Sequence, residues 1–310
     1  MYDLIIIGGG PAGVSAGVYA ARKKLKTLLI TPEFGGQSIV SEGIENWIGT
    51  VKISGNELAE NFKKHLLAYA SDSVTVKEGE GVQDIKKSET GFGVVTDTEE
   101  YSTRTILIAT GSTRRKLLIP GAKEFDNKGL TYCASCDGPL FAGQEVVVIG
   151  GGNAAFETSA QLLAYCKSVT LLNRTNNFRA DKITINKLKT NPNFTIISNA
   201  TPTEIKGEKF VKSIVYEDSV TKEKHEIITP GIFVEIGLIP TTYFVKNIFK
   251  DDTQINKIGQ IITDPRTQQT KVSGIWAAGD CTDGLYHQNN IASGDAIKAL
   301  EDIYMTIHTK

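Results

Sequence analysis

The chain has 310 residues, 40% of them hydrophobic and 22% charged, with a net charge of −1 at pH 7. That length suits two ordinary domains around a large buried core. The near-zero charge, with both signs dispersed, removes any electrostatic case for nucleic acid or an acidic membrane surface. No stretch approaches the roughly 20 apolar residues of a membrane-spanning helix. Met1-Tyr2-Asp3-Leu4 runs straight into an apolar strand with no basic leader, so no export signal is read and a cytoplasmic protein is expected. There the four cysteines do not suggest a disulfide scaffold, and a close pair is read as redox-active or metal-binding.

In chain order, the first element is a buried-strand run, Leu4 to Ile7, followed at once by Gly8-Gly-Gly-Pro-Ala-Gly13 and a helix-compatible segment. A pyrophosphate needs backbone N–H donors and close approach. Gly8 permits the turn, Gly10 removes the side chain that would block the phosphate, and Gly13 lets the helix pack on the strand. Pro11 suits a first helical turn. A second strand, Thr27 to Ile30, ends at Thr31, where a ribose-binding carboxylate is expected; Glu33 stands two residues further on. Ser54-x-x-Glu57 reads as a capping box opening an amphipathic helix through Leu58, Phe62 and Leu66. Another strand, Thr105 to Ala109, ends in Thr110-Gly111.

Cys133-Ala-Ser-Cys136-Asp137 comes next. The spacing allows an intramolecular disulfide and lowers a thiol pKa. Zinc would need two more ligands, and only the unpaired Cys166 and Cys281 remain, so no metal site is expected; two inert buried cysteines are the other reading. Asp137 is read as acid–base partner for a thiolate, or as a turn residue ahead of Gly138-Pro139. Cys166, on a helix-like stretch, and Cys281, after Gly279-Asp280, are read as structural.

Residues 146 to 155, Val-Val-Val-Ile-Gly-Gly-Gly-Asn-Ala-Ala, repeat the first unit in its GxGxxA variant through Gly150, Gly152 and Ala155. The strand after it, Val169 to Leu172, leads into Asn173-Arg174 with no carboxylate for a 2′-hydroxyl. Arg174 and Arg179 are read as meeting a 2′-phosphate, which favours NADP over NAD; the alternative is a pair of solvated surface arginines. The second unit ends near Gly231 to Gly237, and the chain closes with Gly274-Ile-Trp-Ala-Ala-Gly-Asp280 and an amphipathic helix, roughly 290 to 306. The histidines are dispersed and no Ser–His–Asp constellation is suggested; His287 stands beside Gln288 as a site neighbour. The expected fold class is α/β, with two Rossmann-like dinucleotide-binding domains, the second inserted into the first. Residues 1–114 and 243–310 would form the first, and 115–242 the second with the cysteine pair.

With these pieces in place the chain resembles the low-molecular-weight thioredoxin reductases, and more closely the flavoprotein reductase portion of alkyl hydroperoxide reductases. The matching motifs are Gly8 to Gly13, Gly35-Gly36-Gln37, Glu45-Asn46-Trp47, Ala109-Thr110-Gly111 and Tyr132 to Pro139. They continue through Gly150 to Asn153, Phe178-Arg179-Ala180-Asp181, Ala277 to Asp280 and Gln288, along essentially the whole chain, and the extra N-terminal thioredoxin-like domains of the peroxide enzymes are not expected.

The resemblance implies FAD along the first domain, near Gly8, Gly10, Gly13, Thr31, Gly36 and Gln37. Asn46, Val82, Thr110, Gly111, Gly279, Asp280, Gln288 and Asn289 complete that implied site. It implies a nicotinamide nucleotide, NADPH with NADH or ferredoxin as other donors, on the inserted domain at Gly150, Gly152, Asn153, Ala155, Arg174 and Arg179. Cys136 matches the flavin-facing thiol, Cys133 the thiol that attacks a partner's disulfide, and Asp137 the proton donor and acceptor. The implied activity is thioredoxin-disulfide reductase (EC 1.8.1.9 type), the implied partner a thioredoxin- or glutaredoxin-like protein, and the implied assembly a homodimer whose inserted domain rotates about hinges near 114 and 243. A last helix starting near Gln288-Asn289 would aim its positive end at the reduced flavin ring.

Two departures are visible. The His-Arg-Arg of thioredoxin reductases is here Asn173-Arg174-Thr175, and the Glu of NADH-using relatives is also absent. The family's His-x-Pro-Asn is Leu238-Ile-Pro-Thr241. They keep two alternatives in view: a same-fold flavoenzyme fed by ferredoxin or another non-pyridine donor, and a non-catalytic, redox-responsive flavoprotein.

Overall fold

The computed structural model describes residues 1–41, 43–70 and 73–309. The chain divides into two compact units: Met1–Thr113 with Ile239–Lys310, and Arg114–Leu238.

The first unit opens with β1 (Tyr2–Gly9), whose Leu4 to Ile7 are at most 3% exposed. A strand covered on both faces has no polar side to show, so its sequence is continuously apolar. Then come α1 (Pro11–Arg22), β2 (Thr27–Phe34), a short 3-10 turn over Gly36–Val40, and α2 (Gly55–Tyr69). Ser54 caps α2, its Oγ accepting the Glu57 N–H at 3.2 Å. After β3 (Val74–Glu78) the chain forms β4 (Val82–Ser88), β5 (Gly91–Thr96) and β6 (Glu100–Ile108), and leaves through β7 (Ser112–Arg114). The sheet order is β3-β2-β1-β6-β5-β4; β1 lies parallel to β2 and β6, while β4 and β5 are antiparallel additions.

The inserted unit contains β8 (Leu130–Thr131), the one-turn helix α3 (Ala134–Asp137), β9 (Glu145–Ile149), α4 (Asn153–Leu162), β10 (Ser168–Leu172), α5 (Lys182–Lys189) and β11 (Phe194–Ile197). An antiparallel sheet of β12 (Ala200–Gly207), β13 (Val211–Asp218) and β14 (Lys224–Ile228) precedes β15 (Gly231–Val234). The main sheet, β11-β10-β9-β15-β8, is parallel throughout. Apolar clusters lie on both of its faces: Val147, Ile149 and Ile232 in one, Val148, Phe156 and Phe233 in the other. Cys166 is not helical. α4 ends at Leu162 because the chain must turn into β10, and the Cys166 N–H closes that turn on the Leu162 carbonyl at 2.7 Å. Cys166 is buried there, which pushes its thiol pKa up.

The chain leaves the insertion along β16 (Leu238–Pro240), which pairs with β7. β17 (Ile275–Ala277) then adds to β6 in parallel register, Ile275 opposite Ile106. α6 (Asn289–Thr309) packs on α1 through small residues, Ala292, Ala296 and Ala299 against Ala12, Ala16 and Ala20. The buried Trp276 indole donates to Asp302 on α6 at 2.9 Å. The first unit is thus completed by sequence from beyond the insertion.

Ser54→Ala removes the α2 cap and is expected to cost about 1 kcal/mol, read as a lower urea midpoint at unchanged slope.

Candidate functional site

In the first unit the loop after β1 is shaped by contacts that exclude side chains. Gly8 has φ +120°, and a Cβ there would lie 2.3 Å from the Ala109 carbonyl oxygen. A Cβ on Gly13 would lie 1.8 Å from the Gly8 carbonyl oxygen, so α1 rests directly on the turn. Gly10 faces open space instead: a Cβ there meets only the Gly36 Cα, at 3.9 Å, and one on Gly111 meets nothing within 4 Å. Gly36 faces Gly10 in return. The result is a cradle at the N-terminus of α1 that side chains would fill, which is what a dinucleotide pyrophosphate requires.

A polar rim surrounds it. Gln37 Nε2 donates to Asp280 Oδ2 at 3.2 Å and to Ser112 Oγ at 3.3 Å. His287 Nδ1 stands 3.4 Å from Asp280 Oδ1. Asn46 donates to Gln288 Oε1 at 3.1 Å, Asn290 donates to the Asn46 carbonyl at 2.7 Å, and Ser38 donates to Asn289 Oδ1 at 2.9 Å. Gln37, Asn46, Asp280, Gln288 and Asn289 are therefore brought together by the start of α6. Ser38, Ser112 and Asn290 join them, and no motif marks these three in the sequence.

Thr31 is 1% exposed, and its Oγ1 donates to the Glu33 carbonyl at 2.5 Å, so this hydroxyl holds the strand end while the Glu33 side chain faces solvent. Val82 is buried on β4, and its carbonyl accepts from the Tyr243 hydroxyl at 3.3 Å. Thr110 Oγ1 donates to the Thr241 carbonyl at 2.7 Å. Behind Gly279 the Cys281 thiol is fully buried, and burial pushes it up to about 11.

The inserted unit repeats the device. Gly150 has φ +154°, and a Cβ there would meet the Glu235 carbonyl oxygen at 2.4 Å. Gly152 has nothing within 4 Å of its Cβ position. Ala155 is fully buried one turn into α4. A Cβ on Gly151 would collide with Asn173 Oδ1 at 2.2 Å, and the Gly151 carbonyl accepts the Arg179 N–H at 2.7 Å. Asn173 is 8% exposed and donates to the carbonyls of Thr175 and Asn177 at 2.7 and 3.1 Å. It therefore moulds the loop that carries the exposed Arg174 and Arg179 past the glycines. Asn153 Oδ1 accepts the Asp181 N–H at 2.8 Å, which ties the start of α4 to the cap of α5.

β9 and β15 mark the point where strand order reverses, the usual ligand crevice of such sheets. Glu235 follows β15 there, accepting from Thr158 Oγ1 at 2.9 Å, with Arg114 3.9 Å away. Burial raises its carboxyl above the ordinary value, and the Arg114 charge opposes that shift.

Cys133 caps α3 and forms a disulfide with Cys136, their Cα atoms 5.3 Å apart. Asp137, the last residue of α3, accepts a hydrogen bond from Thr131 Oγ1 through Oδ2. Both cysteines and Asp137 are partly accessible to solvent. Among the described residues no cluster of three or more His, Cys, Asp or Glu could hold a metal ion, and no helix is long and apolar enough to cross a membrane.

Residues 2–297 match the family model described as pyridine nucleotide-disulphide oxidoreductase. The chain belongs to this family. It is 40% identical over 299 residues to one subunit of alkyl hydroperoxide reductase from Staphylococcus aureus, covering 96% of this chain and 57% of that protein. It is 36% identical over 300 residues to a Bacillus subtilis protein named NADH dehydrogenase, with the same coverage. The chain thus spans a little over half the length of these curated relatives. A thioredoxin reductase from Streptococcus pyogenes superposes with a TM-score of 0.89 at 33% identity, covering 100% of this chain and 99% of that one. One from Giardia duodenalis gives 0.90 at 32% identity, covering 98% and 97%. The fold is therefore that of the family's α/β flavoprotein oxidoreductases, with two dinucleotide-binding domains, and the family implies FAD and a nicotinamide cofactor.

Because Gly152 is extended, at φ −101° and ψ −178°, and its Cβ position is open, Gly152→Val should leave the thermal midpoint unchanged. It should weaken dinucleotide binding by roughly tenfold or more, seen in a fluorescence titration. Glu235 gives a second expectation. Its folded pKa lies above the ordinary 4.5, so the native state binds the proton more tightly than the unfolded chain and its contribution is lost as pH rises through that window. Glu235→Gln should therefore match the parent below that value and exceed its melting temperature at pH 7 to 8.

Proposed function

We propose that the chain is a flavin-dependent disulfide reductase that passes an electron pair from NADPH to the disulfide of a thioredoxin- or glutaredoxin-like protein. The observation that carries this reading is the Cys133–Cys136 disulfide with the Asp137 carboxyl beside it, on a domain whose own glycine loop is open for a dinucleotide. The thioredoxin reductases that superpose on the full length support it.

The cradle at Gly8, Gly10, Gly13, Gly36 and Gly111 fits FAD, with Gln37, Asn46, Asp280, Gln288 and Asn289 at its rim. Bound there, the flavin would supply two-electron chemistry between a nicotinamide and a disulfide. Gly150, Gly152 and the start of α4 would receive the nicotinamide dinucleotide. Arg174 and Arg179 supply positive charge where a 2′-phosphate would lie, and residues 173–180 offer no carboxylate to a 2′-hydroxyl. NADPH is the donor this chemistry favours. The relative named NADH dehydrogenase makes NADH the second reading.

Once the Cys133–Cys136 bond has opened on taking up the electron pair, Cys133 attacks one sulfur of the partner's disulfide. A new S–S bond forms between them, the partner's bond breaks, and the leaving thiolate takes a proton from Asp137. Cys136 then gives its proton to the Asp137 carboxylate and attacks the Cys133 sulfur. That re-forms the intramolecular disulfide and releases the partner's second thiolate, which is protonated from solvent. The partner gains two electrons and two protons. A homodimer acting in the cytoplasm completes the reading.

Cys133→Ser and Cys136→Ser should each lower reduction of an oxidised thioredoxin by about a thousandfold or more while leaving the flavin content intact. Turnover by Cys133→Ser at the parent rate would overturn the reading. Anaerobic flavin bleaching with NADPH, NADH and reduced ferredoxin in parallel identifies the donor. Arg174→Ala should raise the KM for NADPH roughly tenfold and leave that for NADH unchanged.

A further inference from the structure

Thr131 lies on β8, two residues ahead of Cys133, and is 4% exposed. Its hydroxyl proton is given to Asp137 Oδ2, and its oxygen accepts the Cys133 N–H at 3.3 Å. The Asp137 N–H in turn donates to the Cys133 carbonyl at 3.1 Å. Three hydrogen bonds thus close a ring through Thr131, Cys133 and Asp137. A hydroxyl has one proton and two lone pairs, so this arrangement uses the donor on the carboxylate and one lone pair on the amide. The strand fixes where that hydroxyl stands: Thr131 pairs with Phe233 on the fully buried β15.

We infer that Thr131 is a positioning residue for the proton transfer of dithiol–disulfide exchange, holding the Asp137 carboxyl at the Cys133 end of the redox pair. The inference rests on the disulfide reductase reading above and adds a residue to it. Thr131 does not change ionisation itself. The proton still passes between Asp137 and the leaving or attacking sulfur, while the Thr131 hydrogen bond favours the carboxylate over the carboxylic acid. Without it Asp137 keeps its proton to higher pH and loses its fixed direction. α4, which packs on α3, carries one charged side chain, Glu157, whose charge acts on Glu235, and Gly138–Phe141 carries none.

The test uses the full chain with its flavin, pre-reduced and mixed anaerobically with one of two small disulfides. An aryl disulfide, 5,5′-dithiobis(2-nitrobenzoate), releases a weakly basic thiolate that needs no proton. An alkyl disulfide, hydroxyethyl disulfide, releases a basic thiolate that does. Thr131→Val should slow single-turnover reduction of the alkyl disulfide by roughly tenfold, leave the aryl reaction unchanged, and move the alkaline limb of the alkyl profile to higher pH. Thr131→Ser should restore all three. Thr131→Ala, which lacks the hydroxyl without adding volume, carries the same expectations if the valine variant does not fold. Parent-like alkyl kinetics in the hydroxyl-less variants overturn the inference, and so does equal slowing with both disulfides, which marks a merely structural residue. Asp137→Asn separates the two levels. If it slows the alkyl reaction while Thr131→Val does not, the inference alone fails. If the parent reduces neither these disulfides nor an oxidised thioredoxin, the reductase reading fails and takes the inference with it; if it reduces the thioredoxin alone, parent-like single-turnover reduction of that thioredoxin by Thr131→Val overturns the inference.

Discussion

A Cβ on Gly13 would stand 1.8 Å from the carbonyl oxygen of Gly8. That contact sets how closely α1 can approach the end of β1, and so where the first free amides of the helix point. The open space in front of Gly10 follows from it, because the loop has to double back tightly to reach the helix. The rest of the first site is arranged around this fixed point. Gly36 is drawn opposite Gly10, Asp280 is held by Gln37, and the start of α6 is tied to Asn46 and Ser38. The small residues between α1 and α6 serve the same end, since they let the second helix lie close enough for its first turn to reach the rim.

The inserted domain solves the same problem with one methyl group more. Ala155 takes the place of the third glycine, while Gly150, crowded by the Glu235 carbonyl, and Gly151, crowded by Asn173, repeat Gly8, crowded by the Ala109 carbonyl, and Gly9, crowded by Thr31. Asn173 is the more informative of these neighbours. In its buried place at the end of β10 its amide is committed to two loop carbonyls. Its side chain is thus spent within the protein, shaping the loop from which Arg174 and Arg179 project.

Elements defined by a local pattern were legible in the sequence. β1 and β9 are continuously apolar because both faces are covered, and each is followed at once by its glycines. The Ser54 cap was legible because its signal spans only four residues. What depends on distant partners was not. Ser38 in the 3-10 turn, Ser112 on β7 and Asn290 on α6 each stand just beyond a motif, but their partners lie far along the chain, and no local pattern announces those contacts. Thr131 is six positions from Asp137, and only the turn after β8 brings the two together. Cys166 looked helical because Asn153 to Leu162 is a good helix, but the need to enter β10 at Ser168 ends that helix early. The β12–β14 sheet was not legible either, because β12 loses its alternation at the bulge after Pro202 and β13 is buried from Ser213 through Tyr216.

β17 pairs with β6 from the far side of an entire domain, and Gly279, Asp280 and α6 follow it. A ribosome releases Tyr2–Ile108 long before it releases these pieces. The earlier strands therefore wait with the Ile106–Ile108 end of one edge of β6 uncovered and the face of α1 that meets α6 unpaired while the insertion is made. The insertion is different, because every strand of its parallel sheet lies within its own continuous stretch of chain. It can be finished first and then acts as a ready-made clamp that brings residues 113 and 239 close together, shortening the loop whose closure entropy the outer domain must overcome. The order of manufacture is thus the reverse of the order of the first motifs: the domain begun second is completed first, and the cradle behind Gly10 is closed only when the final helix emerges.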